Sequence, residues 1–282
     1  MIRIITDSAA DFTREEQQQY NLTVIPLQIT FGTDAYEDGV TLMPEIFWTR
    51  IMSGENPKTS QPSPEAFLSA FEAAKAAGDS VVCVLLSSGL SGTVQSATLA
   101  KDMADYDDIH IIDSLQAATA QKMLVLRACQ LRDEGGLSAG EIAQELRRFT
   151  KRIRLYGCLD TLDYLARGGR IPQAAASLGS LVQLKVLITL NEEGKVALAG
   201  KGMGLHRASA GVLKLAQQHK IDERFPVLPL YTYSPENIQS FMKKLNQAGI
   251  VCREEDLCAV GSTISTHVGP GVFGLVFVEA EE

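Results

Sequence analysis

The chain has no long apolar run. Nowhere in its 282 residues does a hydrophobic stretch approach the roughly 18 residues that a membrane-spanning helix needs. Its first residues, Met1-Ile2-Arg3-Ile4-Ile5-Thr6-Asp7, lack the apolar h-region and cleavage site of a secretory signal and read directly as a strand and its turn. There is no Lys/Arg block either. The nearest to one, Arg147, Arg148, Lys151, Arg152 and Arg154, has the spacing of a solvated helix face, and the formal net charge is −8, which argues against nucleic acid as a main partner. The five cysteines are odd in number and scattered, with no CxxC pair and no zinc-ligand spacing at Cys252 and Cys258. Cys83, Cys129 and Cys158 sit inside apolar patterns, where a thiol behaves as a small hydrophobe. Of the four histidines, His110, His206 and His219 fit no cluster, so no metal site is expected. A reducing, cytoplasmic setting is the simplest expectation.

What is present is an ordinary globular composition, with 21% charged and 45% hydrophobic residues. The length suits two domains or one large one, with room for a core and a buried ligand. In the first half, strands alternate with helices. Ile2–Thr6 is a strand, and Thr13 with Glu16 forms a capping box for a helix to about Tyr20. Leu22–Phe31 reads as one strand with Ile25, Leu27, Ile29 and Phe31 on one face, and Pro26 favours the sheet edge. A helix is expected over Thr41–Ser53. Ser63-Pro64-Glu65 opens another, with Phe67, Phe71 and Ala74 buried. Asp79–Leu86 is a short apolar run of the kind buried on both faces in a parallel sheet. Ile109–Ile112 is a further strand, and a helix over Ser114–Glu134 stops at Gly135 and Gly136. Ser138 and Glu141 cap the next helix, with Ile142, Leu146 and Phe149 facing inward.

The second half has another rhythm. Val186–Leu190 and Lys195–Ala199 flank Asn191-Glu192-Glu193-Gly194 as an antiparallel hairpin. Helices over Leu205–His219 and from Ser234-Pro235-Glu236 to Ala248 alternate with strands at Val227–Tyr233, Ile250–Arg253 and Val272–Val278. The fold class is therefore α/β, with two domains. The N-terminal one, residues 1–155, is a doubly wound parallel sheet. The C-terminal one, residues 156–282, is an α/β domain with antiparallel strands.

Four segments could carry chemistry. Thr59-Ser60-Gln61-Pro62-Ser63-Pro64 is a turn and helix cap, or a set of neutral donors for an anion. Ser87-Ser88-Gly89-Leu90-Ser91-Gly92-Thr93 follows the most buried strand and precedes a helix to about Met103; it is either a tight strand-to-helix turn or a binding loop, at the place where an open α/β sheet binds ligands. It lacks the Lys-Ser/Thr ending of a P-loop, and Thr93 stands where a nucleophile elbow needs glycine. In Asp160–Ile171 a glycine pair lies between Arg167 and Arg170. Either both arginines face solvent or one turns inward and supplies the charge that hydroxyls lack. His267, in Thr266-His267-Val268-Gly269-Pro270-Gly271, is either structural or part of a site.

Taken together these segments resemble the DegV family, the fatty-acid-binding subunits of bacterial fatty-acid kinase systems. The resemblance runs nearly end to end. It rests on Thr6-Asp7-Ser8-Ala9-Ala10-Asp11, Pro26-Leu27 with Tyr36–Val40, Thr59–Ser63, Ser87–Thr93, Leu159–Ile171 and His267–Gly271. It implies a long-chain fatty acid in a tunnel between two α/β domains. Its carboxylate would be held at Thr59 and Ser91, with Ser60, Gly92 and Thr93 as neighbours and Arg170 and His267 in the same polar network. It implies an ATP-dependent kinase subunit docking near Arg167 and Arg207 and forming an acyl phosphate that an acyltransferase takes towards phospholipid. On this view the chain is no enzyme, has no catalytic residue and needs no cofactor. Gln183-Leu184-Lys185-Val186 departs from the family, which often has an asparagine and a Lys-Pro pair there. Two other readings compete. One is a lipid-binding sensor or scaffold. The other is a serine esterase using Ser91, His267 and Asp113 or Asp163, which needs all three within hydrogen-bond reach.

Overall fold

The computed structural model describes residues 1–176 and 183–281. The chain forms two compact units, Met1–Lys151 and Arg152–Glu282, against a boundary at 155/156 expected from the sequence.

The first unit contains strands β1 (Ile2–Asp7), β2 (Leu22–Ile25), β3 (Gln28–Phe31), β4 (Asp34–Glu37), β5 (Lys58–Ser60), β6 (Ser80–Leu85) and β7 (Ile109–Asp113). Its helices are α1 (Arg14–Gln19), α2 (Pro44–Met52), α3 (Pro64–Ala77), α4 (Thr93–Ala104), α5 (Thr119–Glu134) and α6 (Ala139–Phe149). A parallel sheet in the order β2-β1-β6-β7 forms the centre. The expected apolar run is β6, and Val81 to Leu85 have no exposure at all. Val81, Cys83 and Leu85 meet Phe67 and Phe71 of α3 and Ala97 and Ala100 of α4 on one face. On the other side α5 packs against β1 and β6, and α6 against β6 and β7. Helices on both faces make this a doubly wound α/β unit. Both expected capping boxes are present, at Thr13/Glu16 and Ser138/Glu141. Ser63 is the N-cap of α3 with Pro64 at the first helical position, but its hydroxyl accepts no bond from the helix.

Three expectations need correction here. Leu22–Phe31 is two strands in two sheets, because Pro26 has no N–H to donate and the Leu27 N–H goes to the Ser8 hydroxyl at 3.0 Å. β3 leads a small antiparallel sheet, β4-β3-β5, that the sequence reading missed. Burial of Ile25, Leu27, Ile29 and Phe31 is nonetheless as expected, since the chain stays extended through the break. The helix expected from Thr41 starts only at Pro44, because Val40, Thr41 and Leu42 turn back onto the Glu37 carbonyl. The helix expected from Ser114 starts at Thr119, since Leu115 and Ala118 take positive φ of 53° and 52°, which no right-handed helix admits.

The second unit contains β8 (Ile153–Leu159), α7 (Asp163–Arg167), α8 (Gln173–Ala176), β9 (Leu184–Leu190), β10 (Val196–Met203), α9 (Gly204–Ala216) and β11 (Leu228–Tyr231). It continues with α10 (Glu236–Gln247), β12 (Cys258–Ala259), α11 (Ser262–Val268) and β13 (Phe273–Val278). A mixed sheet runs β10-β9-β8-β13-β11-β12, antiparallel except for the pair β11 and β12. The hairpin at Asn191–Gly194 is present. Phe241 of α10 packs on Phe273 of β13, in a core shared with Tyr156, Val212 and Leu275. At one end of the sheet the Tyr156 hydroxyl bonds His219 Nε2 at 2.7 Å, and His219 Nδ1 meets Glu279 at 2.8 Å. Four elements escaped the sequence reading, β8, α8, β12 and α11. Ile250–Arg253, expected as a strand, is none: the Asn246 side chain accepts the Cys252 N–H at 2.8 Å and donates to its carbonyl at 3.1 Å, taking the groups a ladder would use.

Gly274 shows how tightly β13 and β8 are joined. A Cβ there would lie 2.4 Å from the Tyr156 carbonyl oxygen, a backbone atom that cannot step aside. Gly274→Ala is expected to lower stability by about 1–3 kcal/mol. Gly200→Ala, whose Cβ would meet only the Leu187 side chain at 3.4 Å, should stay within about 0.5 kcal/mol. Urea denaturation midpoints of the two variants check this.

Candidate functional site

The loops at the carboxyl ends of β1, β6 and β7 come together because the three strands are parallel neighbours. At the end of β1, Asp7 is wholly buried. It accepts N–H bonds from Ala9 at 3.0 Å, from Leu86 at 2.7 Å and from the Gln121 amide at 3.1 Å. Burial pushes its carboxyl up to about 6, with those donors opposing the rise. Beside it the Ser8 hydroxyl donates to Asp38 at 3.0 Å. At the end of β7, Asp113 accepts from the Ser88 N–H at 3.1 Å, the Ser88 hydroxyl at 2.5 Å and the Leu115 N–H at 3.0 Å.

Between these carboxylates runs the Ser87–Gly92 loop. The Ser87 N–H donates to the Gln116 carbonyl, and the Ser87 carbonyl accepts from the N–H groups of Leu90 and Ser91 at 3.0 and 3.1 Å. This turn brings the half-buried Ser91 hydroxyl within 2.9 Å of the hydroxyl of Thr93, the buried first residue of α4. No side chain caps α4, so its first N–H groups lie beside a hydroxyl pair in which one O–H donates to the other oxygen and the second O–H is left to donate elsewhere.

Thr59 and Ser60 lie on β5, paired with Ile29 and Gln28 of β3; Thr59 is half-buried and Ser60 exposed. A residue that sequence reasoning did not single out ties this segment to the loop. The Gln61 amide donates to the Ser96 hydroxyl at 3.0 Å, and its oxygen lies where a Cβ on Gly92 would be, at 2.1 Å. Gly92 is thus a site of close approach. The glutamine beside two hydroxyls was the available signal.

Arg170 and His267 belong to the second unit. Gly168 ends α7, and the Arg170 guanidinium turns back to donate to the Gly168 carbonyl at 2.6 Å. Burial lowers the Arg170 pKa. His267 lies in the last turn of α11, not in an open glycine turn. Its ring rests against Gly168 so closely that a Cβ there would be 2.2 Å from Nδ1. Burial, and then the charge of Arg170, hold His267 down at about 4, so the imidazole is neutral at pH 7. Tyr164 fixes the same turn, since a Cβ on Gly269 would strike its ring at 2.5 Å. Arg167 is exposed, with its guanidinium 4.9 Å above the Tyr164 ring. Arg207, in the first turn of α9, is exposed too. Lys185, in the segment that departs from the family, pairs with Asp160 at 2.5 Å.

Among the described residues no group of three His, Cys, Asp or Glu side chains is placed to hold a metal, and no helix is long and apolar enough to cross a membrane. All five cysteines are buried.

A parallel-sheet unit with a hydroxyl-bearing loop at its carboxyl edge, joined to a mixed-sheet unit, defines a class of two-unit α/β proteins. Within that class the chain belongs to the DegV family: the family described as "Uncharacterised protein, DegV family" matches residues 1–280. A DegV domain-containing protein of Caldanaerobacter subterraneus subsp. tengcongensis is 32% identical over 278 residues, covering 99% of both chains. Among solved structures, a DegV family protein from Thermus thermophilus described as binding fatty acid is 30% identical, with a TM-score of 0.87 and 99% coverage of both chains. A fatty acid (stearic acid)-binding protein from Eubacterium ventriosum is 28% identical, with a TM-score of 0.88, covering 99% of this chain and 98% of that one.

The low pKa of His267 has a consequence for stability. Below about pH 6.5 the unfolded chain takes up a proton at this residue that the folded chain refuses until about pH 4. The stability that His267 contributes is therefore complete above about pH 6.5 and is lost as pH falls towards 4. His267→Gln should show a shallower loss of stability over that window than the parent. NMR of the parent should find a neutral His267 ring at pH 6, whereas a ring already half protonated there would contradict the burial argument.

Proposed function

We propose that this chain binds one long-chain fatty acid, holds its carboxylate on the Ser91–Thr93 hydroxyl pair, and presents it to a partner kinase. The observation that carries the ligand is the description of solved relatives at 30% and 28% identity, over nearly the whole chain, as fatty-acid-binding. The loop supports the same reading through its chemistry. Two hydroxyls 2.9 Å apart at an uncapped helix start can donate to a carboxylate, and no base contacts Ser91 in the hydrogen bonds of its own unit. The carboxyl group of Asp113, a candidate acid for an esterase, is already engaged by Ser88 and Leu115. Thr59 and Ser60 are assigned as neighbours through Gln61, and Arg170 and His267 as further partners of the head group.

Affinity and orientation divide between tail and head. Each buried CH₂ contributes about 0.8 kcal/mol, so a sixteen-carbon tail gains roughly 11–12 kcal/mol before losses. Ordering the chain and forming the complex take back a large fraction. Charge-assisted hydrogen bonds at the carboxylate add about 1.5–3 kcal/mol each, enough to fix polarity and register. The kinase would supply ATP and the phosphoryl chemistry, forming an acyl phosphate for an acyltransferase and phospholipid synthesis. Arg167 and Arg207, both exposed, are assigned to kinase docking.

Two outcomes are expected. Ser91→Ala should weaken palmitate retention by about ten- to a hundredfold, read by titrating delipidated protein; unchanged affinity and unchanged head-group position would show that the anchor is wrong. Arg167→Ala with Arg207→Ala should leave fatty-acid retention intact and slow acyl phosphate formation by a cognate kinase. An unaltered rate would remove the docking assignment.

A further inference from the structure

Where β1 and β6 part company, one main-chain group loses its partner. The two strands pair in register from Ile2 and Ser80 to Thr6 and Val84. Beyond that rung β1 turns into a short 3-10 helix, Ser8–Ala10, and no longer offers β6 a carbonyl. On the β7 side the ladder continues past the strands: Ser114 N–H donates to the Leu85 carbonyl and Ser87 N–H to the Gln116 carbonyl. On the β1 side the Leu86 N–H, buried at the mouth of the loop, has only the Asp7 side chain to go to. The other Asp7 oxygen accepts from Ala9, which starts the turn that carries β1 away. One carboxylate therefore satisfies both strands at the point where they diverge.

The surroundings are built around that carboxylate. Gln121, fully buried, directs its amide nitrogen to Asp7 at 3.1 Å and to Thr6 at 3.2 Å. Its amide oxygen is left buried without a hydrogen-bond partner among the described residues. An unpaired buried acceptor is costly, so the orientation that keeps N–H on Asp7 outweighs it. From Leu86 the chain passes to Ser87, whose carbonyl holds the N–H groups of Leu90 and Ser91. Displacing Leu86 thus displaces Ser91.

We propose that Asp7 is a positioning residue for the fatty-acid head group, acting through the Leu86 N–H to set the direction of the Ser91 hydroxyl. This rests on the proposed binding of a fatty acid at Ser91. The carboxylate is required because asparagine, nearly the same shape, offers one acceptor where two faces each need one and turns an N–H towards a donor.

The test uses the full chain loaded with palmitate labelled with carbon-13 at its carboxyl carbon or at its terminal methyl. In Asp7→Asn the carboxyl signal should move from its position in the parent, as it does in Ser91→Ala, with the methyl signal unchanged and retention reduced about tenfold. A carboxyl signal that moves in Ser91→Ala and stays in place in Asp7→Asn would overturn the inference and leave the binding proposal standing. No bound signal in the parent would instead sink the binding proposal itself. Should Asp7→Asn fail to fold, Gln121→Met decides, since it removes the side-chain donor that fixes Asp7. A displaced carboxyl signal supports the role of Asp7, and a signal at the parent position overturns it.

Discussion

The backbone of β6 sets the terms for the first unit. It lies at the centre of a parallel sheet, buried on both faces, so each of its N–H and C=O groups must find a partner on β1 or β7. Within the strands the ladders do this. At the carboxyl end the strands diverge, and side chains take over: Asp7 for Leu86 and Asp113 for Ser88. The loop that results is held from both sides before it reaches Ser91. The hydrogen bonds at this sheet edge fix the start of the loop, which ends with the Ser91 and Thr93 hydroxyls 2.9 Å apart.

Much of this was legible in the chain itself. The apolar run at Val81–Leu86, the capping boxes at Thr13 and Ser138 and the buried stripe of Phe67, Phe71 and Ala74 are local patterns with local causes, and each element stands where its pattern places it. The misses have nonlocal or side-chain causes. Leu22–Phe31 reads as one strand because its period of two is unbroken, while the break comes from proline and from Ser8 far back in the chain. Ile250–Arg253 has strand-like residues whose backbone groups Asn246 occupies. α11 is short and rich in hydroxyl residues, so no apolar periodicity announces it.

The site divides in the same way. Residue type and position after β6 point to Ser91 and Thr93, whose hydroxyls lie 2.9 Å apart. Gln61 and Asp7 were less visible, one as part of a turn and the other as the end of a strand, because their importance lies in what they touch across the fold. His267 was legible as an unusual residue in a glycine-rich stretch. Its neutral state depends on burial, with Gly168, 99 residues earlier, against the ring, and on the charge of Arg170.

Solved relatives are described as fatty-acid-binding, and the proposed division of labour between apolar tail and carboxylate would give such a ligand a physical basis in this chain. The most direct measurement is mass spectrometry of lipid extracted from the purified protein, together with uptake of oleate or palmitate by the delipidated chain. The account predicts one long-chain fatty acid per chain in the extract or after loading. A protein that carries none and takes up none would contradict it.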